Sequence, residues 1–447
     1  MKTKILIITI CIAFTAMLTS LTEAQESKHK NKPNIIFVLA DDLARADIGA
    51  YGQTKIKTPV LDRIAKEGVR FSQGYSGTSV CAPSRACLLT GLHTGHCPIR
   101  ANREVQPEGQ KPLPDGTYTV AKLLKENGYA TLCSGKWGLG MFDTTGSPLK
   151  MGFDNFYGYN CQRHAHSYFP TYLYENDKRI ELDGKTYSQD IIIQNTLQWI
   201  RQHKDEPFFL FYAATLPHGN YEIDDLDIYK NETDWNERQK TYAAMITRLD
   251  TQVGQILDVL KELNLDEDTI LFFAGDNGSS FAPNTPISKL FNSQGGLRDY
   301  KRSLYEGGLR QAFMARWPKH IASGTVNDTP IAFWDILPTA AELVGGKIPD
   351  GVSTDGVSIL PSLLGGKVPQ RDTFYWELHE GKSIQAARWK DWKFVKNGKN
   401  APIELYDLKT DIGESKDLAN EHPDVVKIGE DLLRTLRTDT PDWTLKD

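Results

Sequence analysis

Three short, unbroken apolar runs constrain the fold of this 447-residue chain more than any other feature. They are Asn34 to Ala40 (NIIFVLA), Pro207 to Ala214 (PFFLFYAA) and Thr269 to Ala274 (TILFFA). None alternates apolar with polar residues, so each predicts a strand buried on both faces, as in a parallel sheet covered by helices. Helical spacing fills the intervals. Thr58-Pro59 offers a cap and a first-turn proline ahead of Val60, Ile64, Ala65 and Val69. Further helices are predicted over Thr119 to Asn127, stopped by Gly128, over Ser188 to His203, and over about Glu237 to Leu263. Strands alternating with helices predict an α/β fold, a mostly parallel sheet sandwiched by helices.

From about Arg371 the pattern changes. Phe374 to Trp376, Ile384 to Trp389, Trp392 to Val395 and Ile403 to Leu408 read as short strands, and Asp424 to Arg437 as a closing helix. This predicts a smaller antiparallel sheet with one helix. At the other end, Lys2 and Lys4 precede an apolar stretch from Ile5 to Leu18, and Thr22-Glu23-Ala24 ends in a small residue before Gln25. That is the pattern of a cleaved export signal, and the stretch is shorter than the ~20 residues of a membrane span. The expected organisation is a signal over 1–24, a main α/β domain over 32–365 and an α+β subdomain over 366–447. The mature protein is expected in a periplasm or outside the cell, with no stable membrane anchor.

With 52 Lys+Arg against 57 Asp+Glu, the net charge of −5 gives no support to a nucleic-acid partner. Six cysteines become five once Cys11 leaves with the signal: Cys81, Cys87, Cys97, Cys133 and Cys161. An odd count in an exported protein marks one cysteine for a separate task.

All three buried runs end in polar residues: Asp41-Asp42, Leu216-Pro217-His218 and Asp276-Asn277-Gly278. Ligands of open α/β sheets bind at the carboxyl ends of the strands, so these groups are expected to converge. Asp41, Asp42, Asp276 and Asn277 would form a hard, oxygen-rich set suited to Ca²⁺ or Mg²⁺.

The most specific motif is Cys81-Ala82-Pro83-Ser84-Arg85, followed by Thr90-Gly91. Six fixed positions at about 5% usage each arise by chance roughly once in 10⁷ to 10⁸ starts. The motif resembles the signature of the formylglycine-dependent sulfatases, of the alkaline-phosphatase-like superfamily, and makes 32–365 the expected catalytic domain. In that family the cysteine is oxidised to formylglycine by a maturation enzyme, a transient partner, and the aldehyde hydrates to a gem-diol. One hydroxyl attacks sulfur, and the other expels sulfate by rebuilding the aldehyde. A serine would lack the second hydroxyl.

The resemblance extends residue by residue over most of the mature chain. It implies Asp41, Asp42, Asp276, Asn277 and the modified Cys81 as ligands of a divalent cation, Ca²⁺ ahead of Mg²⁺. It implies Arg85 as support for the formylglycine, Lys136 and Lys301 as sulfate-binding lysines, and His218 as the acid protonating the departing alcohol. Many sulfatases carry Lys-Trp-His where this chain has Lys136-Trp137-Gly138, so the elimination step falls to another residue or to metal and water.

The loop Gly158 to Pro170 is dense in aromatics and hydrogen-bond donors and is a candidate sugar-binding segment. Arg163, His164 and His166 are its candidate contacts, with either histidine available for the role missing at Gly138. Asn102 and Arg103 are further substrate candidates, and Trp376, Glu377 and His379 could close the pocket. The expected activity is hydrolysis of an O-sulfate ester on a sulfated sugar or glycan. The alternatives are a phosphonate or phosphodiester hydrolase of the same superfamily, and a non-catalytic glycan-binding relative.

Overall fold

The computed structural model describes residues 32–106, 108–368 and 371–447, so the expected signal over 1–24, with Cys11, lies outside the described residues. The large sheet contains, in chain order, β1 (Asn34–Ala40), β2 (Val69–Tyr75), β3 (Ala130–Lys136), β4 (Asn155–Tyr159), β5 (Tyr172–Glu175) and β6 (Lys178–Glu181). It continues with β7 (Phe208–Ala213), β8 (Thr269–Gly275), β9 (Arg310–Arg316), β10 (Thr325–Asn327) and β11 (Ile331–Ala332). The spatial order is β10-β2-β9-β8-β1-β7-β3-β4-β5-β6, with β11 beside β2. The three apolar runs are therefore neighbours, β1 lying parallel between β7 and β8. β3 and β4 extend the parallel set, whereas β9 runs antiparallel between β8 and β2 and β5 antiparallel to β4.

The unbroken hydrophobicity of β1 follows from its two covered faces. The helices that cover it are α1 (Pro59–Glu67), α2 (Cys81–Thr90), α3 (Val120–Glu126), α4 (Ser188–Gln202) and α5 (Glu237–Glu262). Ile35, Phe37 and Leu39 enter one core layer with Ala82, Ala86 and Leu89 of α2 and with Leu123 and Leu124 of α3. Ile36, Val38 and Ala40 enter the other, with residues of α1, α4 and α5. The start of α5 is fixed by a reciprocal capping box: Gln239 N–H donates to the Asn236 side chain at 3.0 Å, and Asn236 N–H to the Gln239 side chain at 2.8 Å.

The second sheet is antiparallel in simple sequence order: β12 (Thr373–Leu378), β13 (Ile384–Trp389), β14 (Trp392–Lys396) and β15 (Ile403–Asp407). One face, with Tyr375, Ala387, Phe394 and Leu405, packs on Val425 and Leu433 of α6 (Pro423–Thr435). The opposite face, with Phe374, Trp376, Ala386 and Val395, merges into the main core. Trp376 and Glu377, expected to close a pocket, are instead fully buried at this junction. The Trp376 indole donates to the Ser76 carbonyl at 3.1 Å, and Glu377 is ion-paired with Arg437 at 2.9 Å and with Arg100. His379 faces Glu377 at 2.9 Å.

A buried charge cluster also ties the sheets together. Lys393 of β14 donates to Glu306 at 2.8 Å and lies 3.5 Å from Glu414, while Arg310 of β9 and the Tyr75 hydroxyl complete the shell of Glu306. Burial alone would raise Glu306, but Lys393 and Arg310 outweigh it and hold the carboxylate ionised. Removing one partner of such a cluster leaves uncompensated buried charge, which costs about 3–5 kcal/mol. Lys393→Met is expected to lower unfolding free energy by that amount in urea denaturation. A loss below about 1 kcal/mol would show that the cluster does not join the sheets.

Candidate active site

Because β3, β7, β1 and β8 are parallel and adjacent, their carboxyl ends open on one edge of the sheet. β1 delivers Asp41 and Asp42, β8 delivers Asp276 and Asn277, β3 ends on Lys136, and the turn after β7 carries His218. Gly135 permits this register, because a β-carbon there would sit 2.1 Å from the Ala213 carbonyl oxygen. Cys81 opens α2, every residue of which is buried, and Lys301 arrives from the turn before β9.

The polar atoms of Asp41, Asp42, Cys81 and His218 all lie within 4.8 Å of one another. Lys136 Nζ is 2.6 Å from Asp41, Lys301 Nζ is 2.8 Å from Asp42, and Cys81 Sγ is 3.4 Å from Asp41 and 3.6 Å from Lys301. Arg85 holds Asp276 through two nitrogens at 3.0 and 3.1 Å and donates to the Lys136 carbonyl at 3.0 Å. The other Asp276 oxygen accepts from the Asp42 N–H at 3.1 Å. Asn277 donates to Asp42 at 2.7 Å, while its side-chain carbonyl oxygen, Oδ1, is buried without a hydrogen-bond partner. All nine residues expected at the chemical centre are thus brought together.

Three buried carboxylates face three buried cations. Burial would raise Asp41, but Lys136, His218, Arg85 and Lys301 outweigh it and hold Asp41 well below the usual carboxylate range. Asp276 goes the other way, pushed up to about 7 by burial and by the Asp41 charge. Burial, reinforced by Asp41, pushes the Cys81 thiol up, so the unmodified sulfur stays protonated and is a poor nucleophile. Burial lowers His218, partly offset by Asp42 and Asp41. Its Nδ1 lies 3.2 Å from the Gly219 carbonyl, which leaves Nε2 3.4 Å from both Asp42 and Lys301.

The centre forms the end of a cleft of about 660 Å³, where Asp42, His218 and Lys301 meet His166, Tyr221, Arg238 and Phe281. His166, expected to contact substrate, is placed in the cleft with its ring stacked on His218 at 4.3 Å between centroids. The other substrate candidates do not line it. Arg103 is engaged by Asp442 at 3.2 Å and by the Trp443 ring at 4.5 Å, and Arg163 pairs with Glu104 at 2.9 Å. His164 stacks on Tyr172 at 4.0 Å. Asn102 accepts from the Ala82 N–H at 3.0 Å, so it braces the start of α2 beside Cys81. Sequence reasoning missed Tyr221, Arg238 and Phe281, which lie in a loop after β7, at the start of α5 and beyond Asn277. No motif marks them.

At Gly138 the backbone has φ +77°, and a β-carbon would lie 2.9 Å from Gln162 Cγ. A histidine placed there would be strained and would displace Gln162. The five described cysteines are all unpaired and buried.

Comparison with known proteins agrees with this architecture. The Sulfatase family pattern matches residues 33–346, and the pattern described as N-sulphoglucosamine sulphohydrolase, C-terminal, matches 296–440. Human N-acetylgalactosamine-6-sulfatase is 32% identical over 377 residues, covering 79% of this chain and 70% of that protein. Human arylsulfatase A is 29% identical over 443 residues, covering 86% of this chain and 83% of that protein. Among solved structures, Ps i-CgsB in complex with k-i-k-neocarrahexaose superposes with a TM-score of 0.81 at 29% identity, covering 93% of this chain and 95% of that one. The family match over most of the chain, on a fold that gathers the signature cysteine with buried lysines and carboxylates, establishes that this protein belongs to the sulfatases, the sulfuric ester hydrolases.

Proposed function

We propose that this sulfatase removes O-sulfate from a sugar within a sulfated glycan, using a formylglycine made from Cys81, and that it acts after export. The observation that carries the reading is the convergence of Lys136, Lys301 and Arg85 on the carboxylates beside Cys81, with Lys301 also lining the cleft. Those cations suit the stabilisation of negative charge on a transferring sulfate. A sugar substrate is supported by two relatives, one named for N-acetylgalactosamine 6-sulfate and one solved with a neocarrahexaose.

The site fits both groups that the family implies. Formylglycine, as its hydrate, supplies one hydroxyl for attack on sulfur and a second for release of sulfate. A protonated thiol at residue 81 has no comparable use, and its 1% exposure supports conversion by a maturation enzyme before the chain folds. The unpartnered carbonyl oxygen of Asn277 and the carboxylates of Asp41, Asp42 and Asp276 are hard oxygen donors suited to Ca²⁺, with Mg²⁺ second. With residue 81 they would hold the ion, which supplies Lewis acidity.

The chain's own residues supply the rest. Lys136 and Lys301 each carry three N–H donors, more than Asp41 and Asp42 use, and can bind sulfate oxygens. Arg85 keeps Asp276 and the Lys136 backbone in place. His218, with Nδ1 on the Gly219 carbonyl, presents Nε2 to the cleft to hold a proton for the departing sugar oxygen. The ring of His166 against it excludes water from that face.

The test is sulfate release from sulfated mono- and disaccharides, with an aryl sulfate beside them, by protein co-produced with a formylglycine-generating enzyme. At least one sugar should be desulfated with kcat/KM above that of the aryl ester. Lys301→Ala should lower that value by about 10²–10³-fold. Cleavage of the aryl sulfate with every sugar untouched would contradict the sugar assignment.

A further inference from the structure

The cleft continues beyond the reaction centre into a surface with its own recognition chemistry. Tyr221 and Phe281 stack with ring centroids 5.2 Å apart and planes at 24°, and the Tyr221 hydroxyl is fixed by Ser280 at 2.9 Å. The Arg238 guanidinium lies over this platform, 5.1 Å from the Tyr221 centroid and 5.7 Å from that of Phe281. Its backbone is held in the capped first turn of α5, so the platform and the cation are both anchored.

Arg238 differs from the other cations of the cleft. Lys301 is taken by Asp42 at 2.8 Å and Arg302 by Glu380 at 2.7 Å. Arg238 has no carboxylate within ion-pair distance among the described residues, although it faces the cleft. Glu237, the other carboxylate that lines the cleft, is turned toward Lys240 at 3.4 Å. A guanidinium stacked on rings keeps its in-plane N–H fork free for a planar or tetrahedral oxyanion.

The geometry points to a second anion-binding subsite, in which Arg238 on the Tyr221–Phe281 platform holds an anionic group on the sugar next to the one being desulfated. The ligand class is a carboxylate or second sulfate ester of the same glycan, so the enzyme acts on a polyanionic oligosaccharide in preference to an isolated sulfated monosaccharide. This rests on the glycan reading above and deepens it. The rings hold the guanidinium in place, and the guanidinium suits the anionic substituent of the sugar.

Three probes test it with the matured full-length enzyme: 6-sulfated N-acetylgalactosamine alone, the same sugar joined to a uronic acid, and the same sugar joined to a second sulfated hexose. Wild type should show kcat/KM at least about tenfold higher on one or both disaccharides than on the monosaccharide, the worth of one charge-assisted hydrogen bond. Arg238→Gln should erase that advantage, mainly through KM, while changing the monosaccharide value less than about twofold. Which disaccharide loses its advantage tells carboxylate from sulfate. Calorimetric binding of each disaccharide to Cys81→Ala, which has no nucleophile at residue 81, with and without Arg238→Gln, gives a readout independent of turnover and should show the same loss. Equal losses on all three probes, or no loss on any, would overturn the subsite. Sulfate release from an aryl ester but from none of the sugars would overturn the glycan reading and the subsite with it.

Discussion

Cys81→Ser is expected to reduce steady-state sulfate release by about 10⁴-fold or more, on the scale of removing a covalent nucleophile. The serine hydroxyl would occupy the place of the thiol, beside Asp41 and Lys301, and the two side chains are close in size. The fold should therefore survive, with the circular dichroism spectrum unchanged. What is lost is the second oxygen. A serine can accept sulfate once but has no neighbouring hydroxyl with which to expel it, so the variant should give at most one equivalent of desulfated sugar and no free sulfate. Mass spectrometry of the peptide containing residue 81 would then find a sulfated serine. Continued turnover by Cys81→Ser would show that the reaction runs elsewhere in the cleft.

Stripping divalent cation from the matured protein is expected to lower kcat by about 10³-fold and the melting temperature by about 5 °C, both restored by Ca²⁺. The physical reason lies in the crowding of Asp41, Asp42 and Asp276 at one end of the sheet. Lys136, Lys301 and Arg85 compensate them in part, yet Asp276 remains driven toward its protonated form by burial and by Asp41. The buried, unpartnered carbonyl oxygen of Asn277 is a further penalty that an ion would relieve. Asn277→Ala should accordingly weaken the Ca²⁺-dependent thermal shift, and because it also removes the amide that donates to Asp42 at 2.7 Å, the chelated variant should melt below chelated wild type. A chelated wild type with unchanged melting temperature and rate would remove the cation from the account.

The sequence made the centre of the molecule legible because its signals are local and redundant. Three apolar runs announce β7, β1 and β8, and the polar residues ending each one meet because parallel neighbours share a carboxyl edge. The four C-terminal strands were equally readable as short runs with turns between them. Other parts were masked by charge. β9 (RQAFMAR) begins and ends in arginines that are buried only because Arg310 meets Glu306 at 2.6 Å and Arg316 meets Asp266 at 2.8 Å. β2 (VRFSQGY) pairs with it and carries as many polar as apolar residues. Tertiary pairing, invisible in periodicity, turns both into strands.

The substrate region was less legible for a related reason. Arg103, Arg163 and His164 have the chemistry of sugar contacts, but partners distant in sequence, or a stacked tyrosine, occupy them. Arg238, Tyr221 and Phe281 carry no motif and come together only through the turn after β7 and the capped start of α5. Of the loop from Gly158 to Pro170, His166 reaches the cleft, and Gln162 takes up the space beside Gly138.

Matched sulfate and phosphate esters of one sugar, given to protein whose residue 81 has been shown by peptide mass to be the aldehyde, test the role of residue 81 most directly. Free sulfate should appear at a rate that scales with the aldehyde fraction, with phosphate release slower by at least about 10²-fold. Equal or faster phosphate release, or sulfate release independent of the aldehyde fraction, would contradict that role.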